Sequence, residues 1–500
     1  MANIVDRIWR HAGTDPDRIA LRTTTEDLTY GELARRAAIF GGQLRRSGVA
    51  VGDRVVLIAP TRPEFVIAYL GAHLAGAIVV TMNTMATVPE IDWVLADSEA
   101  ALIIEWHTGT AAATAAGARG IRHEVLAPGV GLAAEDPLPE PVSRALGDTA
   151  VLLYTSGTTG KPKGVELTIA NLTHTAEVYI EQLELRLDDR MGTGLPLFHV
   201  FGQAVALLTA LNLGCPFSLL EGFTPASMLD LIRDHRLTVV AGVPTMWSAM
   251  LHADGDYGPD DLRSLRLAAS GGAVLRQDLV QAFSERFGCR LVQGYGLTES
   301  TGAATYMALD RQYPPGSVGQ ALPDTDIEVR ATDGAALPVG AVGEIFLRGP
   351  SVMKGYWRRP DANAVDLYQG WLKTGDLGLL DLDGCLFIVD RLKDLIIRGG
   401  YNVYPSEVEE VLYGHPDIAA VAVLGVPDER YGEEVAAAVV TRPGGSLTAE
   451  EIRAWAKERL SAYKVPHRFV FVDELPLGPT GKVLKRAVDR TGLLATNSEG

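Results

Sequence analysis

The sequence predicts an α/β protein: a large N-terminal domain of α/β sheets carrying a β-rich subdomain, then a smaller α+β domain at the C-terminus. Three observations predict it. Residues 1–150 alternate strand-like apolar runs with helix-like amphipathic ones, the pattern of a mostly parallel sheet covered by helices. After Val165 the rhythm resumes, and three apolar runs in succession end in glycine turns. Finally, the 500 residues are 47% hydrophobic and 21% charged, enough for a large core in two to four folding units, at roughly 100–200 residues per domain.

Ile4 to His11 reads as an amphipathic helix, and Leu28-Thr29-Tyr30 as a short strand running into a helix that reaches Leu44. Val55 to Pro60 is a buried-type strand and Glu64 to Leu74 a helix. Ile78-Val79-Val80 and Ala101 to Ile104 are the next strands. Residues 108–149, rich in Ala, Gly and Pro, read as a loop-rich bridge. Beyond it, Leu237 to Val240 runs into Gly242-Val243-Pro244. Leu265 to Ala268 runs into Ser270-Gly271-Gly272-Ala273, and Arg290 to Val292 into Gly294-Tyr295-Gly296. Ligands of open α/β sheets gather at the carboxyl ends of strands, so these turns are expected to converge. From Val318 to Gly370 the pattern turns β-like. Past Asp390-Arg391-Leu392-Lys393-Asp394 a smaller pattern begins. Ser406-Glu407-Val408-Glu409 reads as a capping box opening a helix, Ile418 to Val426 and Val435 to Val440 as strands, Ala449 to Leu460 as a helix and Phe469 to Val472 as a last strand. The expected domains are 1–390 and 391–500.

A net charge of −17 disfavours non-specific binding to nucleic acid or anionic membranes. The three cysteines, Cys215, Cys289 and Cys385, are far apart and form no C-x-x-C, so they read as small buried hydrophobes. The ten histidines form no metal-binding pair, and no protein-ligated metal is expected from them. Met1 to Arg7 lacks a basic region followed by an apolar one, so no signal peptide is expected. No apolar run reaches the roughly 18–20 residues of a spanning helix. The expected location is the cytoplasm.

The strongest chemical signal is Leu153-Tyr154-Thr155-Ser156-Gly157-Thr158-Thr159-Gly160-Lys161-Pro162-Lys163-Gly164-Val165. Gly157, Gly160 and Gly164 permit backbone shapes that a Cβ resists, so that successive N–H groups can form an anion nest. Four hydroxyls and two lysines complete a tool for gripping polyphosphate. It is not the common P-loop, because Pro162 stands where that motif needs Ser or Thr after Gly160-Lys161. There are three weaker constellations downstream. In Gly294-Tyr295-Gly296-Leu297-Thr298-Glu299 an aromatic face can stack on a base and a carboxylate can meet Mg²⁺, although a buried tyrosine and a solvated glutamate explain it equally. In Trp371-Leu372-Lys373-Thr374-Gly375-Asp376 the aspartate can accept ribose hydroxyls, or the segment is simply a turn. In Pro476-Leu477-Gly478-Pro479-Thr480-Gly481-Lys482 a loop presents a lysine that, alone, would read as solvated.

In this order the four motifs, with Gly399-Gly400-Tyr401-Asn402-Val403-Tyr404-Pro405-Ser406-Glu407-Val408-Glu409, resemble the adenylate-forming superfamily of acyl-CoA synthetases, peptide-synthetase adenylation domains and luciferases. The resemblance runs from Leu28 to Lys482. It implies an acid–thiol ligase: a carboxylate attacks the α-phosphorus of Mg-ATP to give acyl-AMP and pyrophosphate, and a thiol, usually of coenzyme A, displaces AMP. It implies that Thr155, Ser156, Gly157, Thr158, Thr159, Gly160 and Lys163 hold the β- and γ-phosphates. Gly271, Gly272 and Ala273 line the adenine site, and Tyr295, with Gly296, stacks on the base. Thr298 contacts the α-phosphate, Glu299 with Thr155 binds Mg²⁺, and Asp376 and Arg391 hold the ribose. Lys482 bridges carboxylate and α-phosphate. The C-terminal domain is implied to be mobile, turning about Lys393, with Gly400 lining the pantetheine passage.

For the acid, the resemblance points to segments around Pro196, Val243, Gly271 and Gly294. Amino-acid-activating relatives carry an Asp where His199 stands, and malonate-activating ones an Arg where Ala249 aligns. A second charge on the substrate would therefore lie unpaired, which is costly. His199, Phe201, Val243, Trp247 and Gly272 are left as the implied acid contacts, with His199 also in the catalytic set. Their apolar character suits a medium- or long-chain alkyl acid. A flat cinnamate- or benzoate-like acid would fit as well, and Trp247 reads equally as a gate or a core residue. An acyl carrier protein as acceptor and a homodimer both stay open.

Overall fold

The computed structural model describes residues 2–131, 136–155, 161–442, 447–478 and 483–494. The chain divides into two compact units. One comprises Met1–Ile327, Phe346–Lys373 and Gly384–Leu386, the other Glu328–Ile345, Thr374–Asp383 and Phe387–Gly500.

The first unit is built on two seven-stranded sheets. In one, Ile78–Met82 lies parallel between Arg54–Ile58 and Thr149–Thr155, and Leu102–Trp106 and Arg122–Leu126 extend the parallel run. Lys163–Thr168 folds back antiparallel on Thr149–Thr155, and Gly355–Tyr356 caps that edge. One face buries Val56, Ile58, Val80, Met82, Ile103 and Leu152 beneath the helices Val88–Ser98 and Ala111–Arg119. Each such side chain is worth about 1.5–3 kcal/mol when fully removed from water. The helix Pro63–Leu74 is buried along its whole length, as a helix apolar all round should be.

The second sheet runs Leu291–Gln293, Leu267–Ser270, Val239–Gly242, Met191–Thr193, Phe217–Leu219, Ile19–Arg22 and Asp27–Thr29, parallel except for its last pair. The three strands that end in glycine turns are neighbours here, so their carboxyl ends share one edge. Thr29 caps the helix Tyr30–Arg46, its hydroxyl accepting from Glu32 N at 3.2 Å.

The second unit holds a five-stranded sheet with the path Tyr401–Val403, Ile396–Arg398, Gly432–Thr441 and Ile418–Asp428, and Arg468–Phe471 paired parallel to Gly432–Thr441. Strand alternation sends Val421, Val423, Val435 and Val439 into a core with the helices Pro405–Tyr413 and Ala449–Lys457. Ala422, Leu424, Ala436 and Ala438 pack on the other face against Leu475, Val488 and Leu493.

Two local expectations are corrected. The 108–149 stretch contains a helix, Ala111–Arg119, and a strand, Arg122–Leu126. Alanine is the best helix former, and the Glu105 carboxylate accepts from the N–H of Ala112 in the first turn, at 3.0 Å. The capping box at Ser406 does not form. The helix begins at Pro405 after an uncapped Tyr404, proline being preset for the first turn. The Ser406 N–H, now inside the helix, donates to Asp390 Oδ2 at 2.8 Å.

Candidate active site

In the first unit, the parallel strands lead at their carboxyl ends to eight of the expected residues. Val243 follows Val239–Gly242, Gly271 to Ala273 follow Leu267–Ser270, and Gly294 to Gly296 follow Leu291–Gln293. The neighbouring strand Met191–Thr193 leads to Pro196, His199 and Phe201. Close packing constrains Gly271, Gly294 and Gly296, and a positive φ constrains Gly272. A Cβ on Gly271 would stand 3.2 Å from Cε1 of Phe201, and one on Gly294 would stand 2.8 Å from the Thr305 carbonyl oxygen. Gly272, at φ +80°, faces Val243, whose Cγ1 would lie 3.5 Å from a Cβ there. Gly296 lies against the backbone of Gly302 and Ala303. Tyr295 is tied on both sides, its N–H donating to Thr305 Oγ1 at 3.0 Å and its carbonyl accepting from Ala304 and Thr305.

Burial pushes the His199 imidazole down to about 4, so it is neutral near pH 7. Its Nδ1 accepts from the Phe201 N–H at 3.3 Å, which puts the proton on Nε2. Phe201 opens a π-helix, Phe201–Leu208, a form that recurs at functional sites. Trp247 is only 1% exposed and lies edge-on to Phe283, 5.5 Å between centroids, in the core behind the sheet. Its surroundings are those of a core tryptophan.

Glu299 sits in the short turn Thr298–Ser300, fixed by its carbonyl, which accepts from Met353 N at 2.8 Å. Two hydroxyls meet its Oε1: Thr155 Oγ1 donates at 3.3 Å and Tyr356 Oη at 3.2 Å. Thr155 and Lys163 are register partners at the mouth of the hairpin. Lys163 Nζ lies 3.1 Å from Asp366 Oδ2 and 4.0 Å from the Tyr356 ring centroid. The Tyr356 hydroxyl is held well above its ordinary range by burial and by the charge of Glu299. Ser156 to Gly160 and Lys482 lie outside the described residues.

In the second unit, Asp376 is 4% exposed and its Oδ1 lies 3.1 Å from Arg391 Nε. The Thr374 hydroxyl accepts from Asp376 N at 3.1 Å and donates to the Ile345 carbonyl at 2.8 Å. Lys393 is exposed in the turn Leu392–Asp394. Gly399 and Gly400, at φ +57° and +84°, form a two-residue hairpin turn, and a Cβ on Gly400 would meet nothing within 4 Å.

The sequence matches the AMP-binding enzyme family over residues 8–357 and the AMP-binding enzyme C-terminal domain over residues 407–482. It is 41% identical to a feruloyl-CoA synthase from Amycolatopsis sp over 486 residues, 96% of this chain and 97% of the relative. It is 34% identical to a long-chain-fatty-acid–CoA ligase of Bacillus subtilis (strain 168), covering 94% of this chain and 91% of that one. Its fold is similar to ATP-bound MatB from Rhodopseudomonas palustris, with a TM-score of 0.91 at 32% identity over 97% of this chain and 98% of that one. The chain is an AMP-binding enzyme. As an adenylate-forming enzyme it is an acid–thiol ligase that uses ATP, and the α/β architecture expected from the sequence is the one observed.

In this AMP-binding enzyme the structure adds neighbours that sequence reasoning did not single out: Tyr356 and Asp366 around Lys163, and Trp93 and Asp97 beside Pro162 and Tyr154. The aromatic pair Tyr356-Trp357 after a glycine was the available signal for the first. Among the described residues no group of three or more His, Cys, Asp or Glu is placed to enclose a metal ion. One carboxylate and a threonine hydroxyl suit Mg²⁺, which keeps waters and leans on substrate phosphates. Among the described residues no helix is long and apolar enough to cross a membrane.

Proposed function

We propose that this enzyme joins a planar aromatic carboxylic acid, of the cinnamate or benzoate kind, to coenzyme A through an acyl-AMP. The observation that carries the reading is the Phe201 ring, held against Gly271 where the parallel strands end, an aromatic face on which a flat acid can stack. The 41% identity to a feruloyl-CoA synthase also supports it. An alkyl acid is the second reading, supported by the apolar lining and the fatty-acid ligase relative.

In the proposed mechanism Thr155, Ser156 to Gly160 and Lys163 hold the β- and γ-phosphates. Gly271, Gly272, Ala273, Tyr295 and Gly296 receive the adenine, and Thr298 the α-phosphate. Asp376 and Arg391 hold the ribose hydroxyls. Glu299, with Thr155, would hold Mg²⁺, which supplies positive charge to the departing pyrophosphate. Two anions must meet in the first step, so Lys482 is assigned to bridge them. Preorganised donors of this type are worth about 2.7–4 kcal/mol each in the barrier. Neutral His199 packs beside the acid without offering a charge. Lys393 is kept as the hinge between the two steps, and Gly400 as the wall past which the thiol approaches.

The test is pyrophosphate release with ATP and Mg²⁺ over ferulate, cinnamate, benzoate, straight-chain acids of increasing length, malonate and amino acids, each with and without coenzyme A. Preference for the aromatic acids with coenzyme A-dependent turnover is expected. A smooth optimum along the alkyl series would replace the aromatic reading with the second one. Release that coenzyme A does not accelerate would move the acceptor to a carrier protein. Lys482→Ala is expected to abolish adenylation and spare thioester formation from preformed acyl-AMP.

A further inference from the structure

We propose that Trp93 is a positioning residue for ATP, setting the returning limb of the phosphate-binding loop and the ammonium of Lys161. The proposal rests on the reading that this loop holds the β- and γ-phosphates. Trp93 lies on the helix Val88–Ser98, whose start is fixed by the Thr87–Glu90 capping box. Its indole N–H donates to the Pro162 carbonyl at 3.1 Å. The Lys161 ammonium sits 4.4 Å from the centroid of the same ring. One turn along the helix, Asp97 Oδ2 accepts from Tyr154 Oη at 2.8 Å, and Asp97 also pairs with Arg359. Residues i and i+4 share a helix face, so one face holds both limbs: Tyr154 before the loop through Asp97, Lys161 and Pro162 after it through Trp93.

The limb's own sequence creates the need for such a clamp. Pro162 has no N–H to give a ladder, so the strand pairing that secures Lys163–Thr168 cannot secure it in the same way. Lys161 is exposed, and a lysine on a free stem samples many rotamers. The ring under its ammonium narrows that freedom before ATP arrives, as preorganisation requires. Trp93 itself packs against the core that includes Val94, Leu95 and Ala112, which makes it a firm seat.

The test is calorimetric titration of the full-length enzyme with MgATP and, separately, with AMP, which lacks the two terminal phosphates. Trp93→Leu is expected to raise the Kd for MgATP about tenfold, the combined effect of one hydrogen bond and one cation–π contact, and to leave the Kd for AMP within about twofold. Trp93→Phe keeps the ring and loses the N–H, so an effect of about threefold is expected. In a Lys161→Ala background, Trp93→Leu should weaken MgATP by less than it does alone. Equal weakening of ATP and AMP would make Trp93 merely structural and overturn the proposal, as would unchanged ATP affinity in Trp93→Leu. A wild-type enzyme that binds MgATP no differently from AMP would overturn the phosphate-loop reading and the proposal with it.

Discussion

Removing one oxygen from Tyr356 is the sharpest probe of the carboxylate at the centre of the proposed site. In Tyr356→Phe the ring stays, and with it the seat for Lys163, whose ammonium lies 4.0 Å from the ring centroid. The change removes the hydroxyl that donates to Glu299 Oε1 at 3.2 Å. Tyr356 is only 6% exposed, so water replaces that donor poorly. A hydrogen bond to a charged acceptor contributes about 1.5–3 kcal/mol, and at about 1.4 kcal/mol per decade this predicts a roughly ten- to hundredfold loss. The loss should appear in kcat/KM for MgATP, measured by pyrophosphate release, with the KM for the acid nearly unchanged. It should deepen at low Mg²⁺, because the variant leaves Glu299 less well aimed. Thr155 Oγ1 is the second donor to the same oxygen, at 3.3 Å. Thr155→Val and Tyr356→Phe should therefore couple in a double-mutant cycle. A Tyr356→Phe enzyme within twofold of wild type at every Mg²⁺ concentration would refute the assignment of Glu299 as an oriented metal-holding carboxylate.

Gly296→Ala forces a Cβ into the backbone of Gly302, 2.6 Å from Ala303 N; overpacking of this kind costs about 1–3 kcal/mol. The expected result is a lower unfolding midpoint with a raised KM for ATP, and unchanged ATP kinetics would disprove the role given to this turn. Gly400→Leu keeps its fold, because only the positive φ of +84° opposes it, and should block thioester formation while sparing adenylation; equal damage to both steps counts against the thiol passage. Burial and nearby Arg144 push the His73 imidazole down to about 3. Its contribution is therefore present above the ordinary value of 6.5 and is lost as pH falls from 6.5 toward 3, by about 1.4 kcal/mol per pH unit. Denaturant midpoints of wild type and His73→Leu between pH 6.5 and 4.5 should converge on acidification, and parallel curves would contradict the buried neutral imidazole.

The elements that were legible in the sequence are those whose cause is local. An apolar run ending in Ser270-Gly271-Gly272 says strand then turn, because glycine readily takes a positive φ such as the +80° at Gly272. The same logic recovered the strands ending at Gly242 and Gln293. Misreadings arose where two local signals competed. The alanines of 111–119 were outweighed by their glycine-rich surroundings, and the Ser-Glu pattern at 406–409 was overridden by Pro405 and by a carboxylate from outside the helix.

The class of chemistry came from four motifs in order, through their resemblance to the adenylate-forming superfamily: a hydroxyl- and lysine-bearing loop, an aromatic turn followed by a carboxylate, a Gly-Asp turn, and a late lysine on a Pro/Gly loop. Only the tertiary structure decided what surrounds these groups. Tyr356 reaches Glu299 across 57 positions, Trp93 meets Pro162 across 69 and Asp366 meets Lys163 across 203. Hydrogen bonds and cation–π contacts depend on distance in space, and long-range strand pairings, such as Gly355–Tyr356 on Lys163–Thr168, set that distance and leave no periodic trace in the chain. The same physics placed Trp247 in the core. An indole's apolar area rewards burial wherever the fold provides a partner such as Phe283, and the sequence alone shows no such partner.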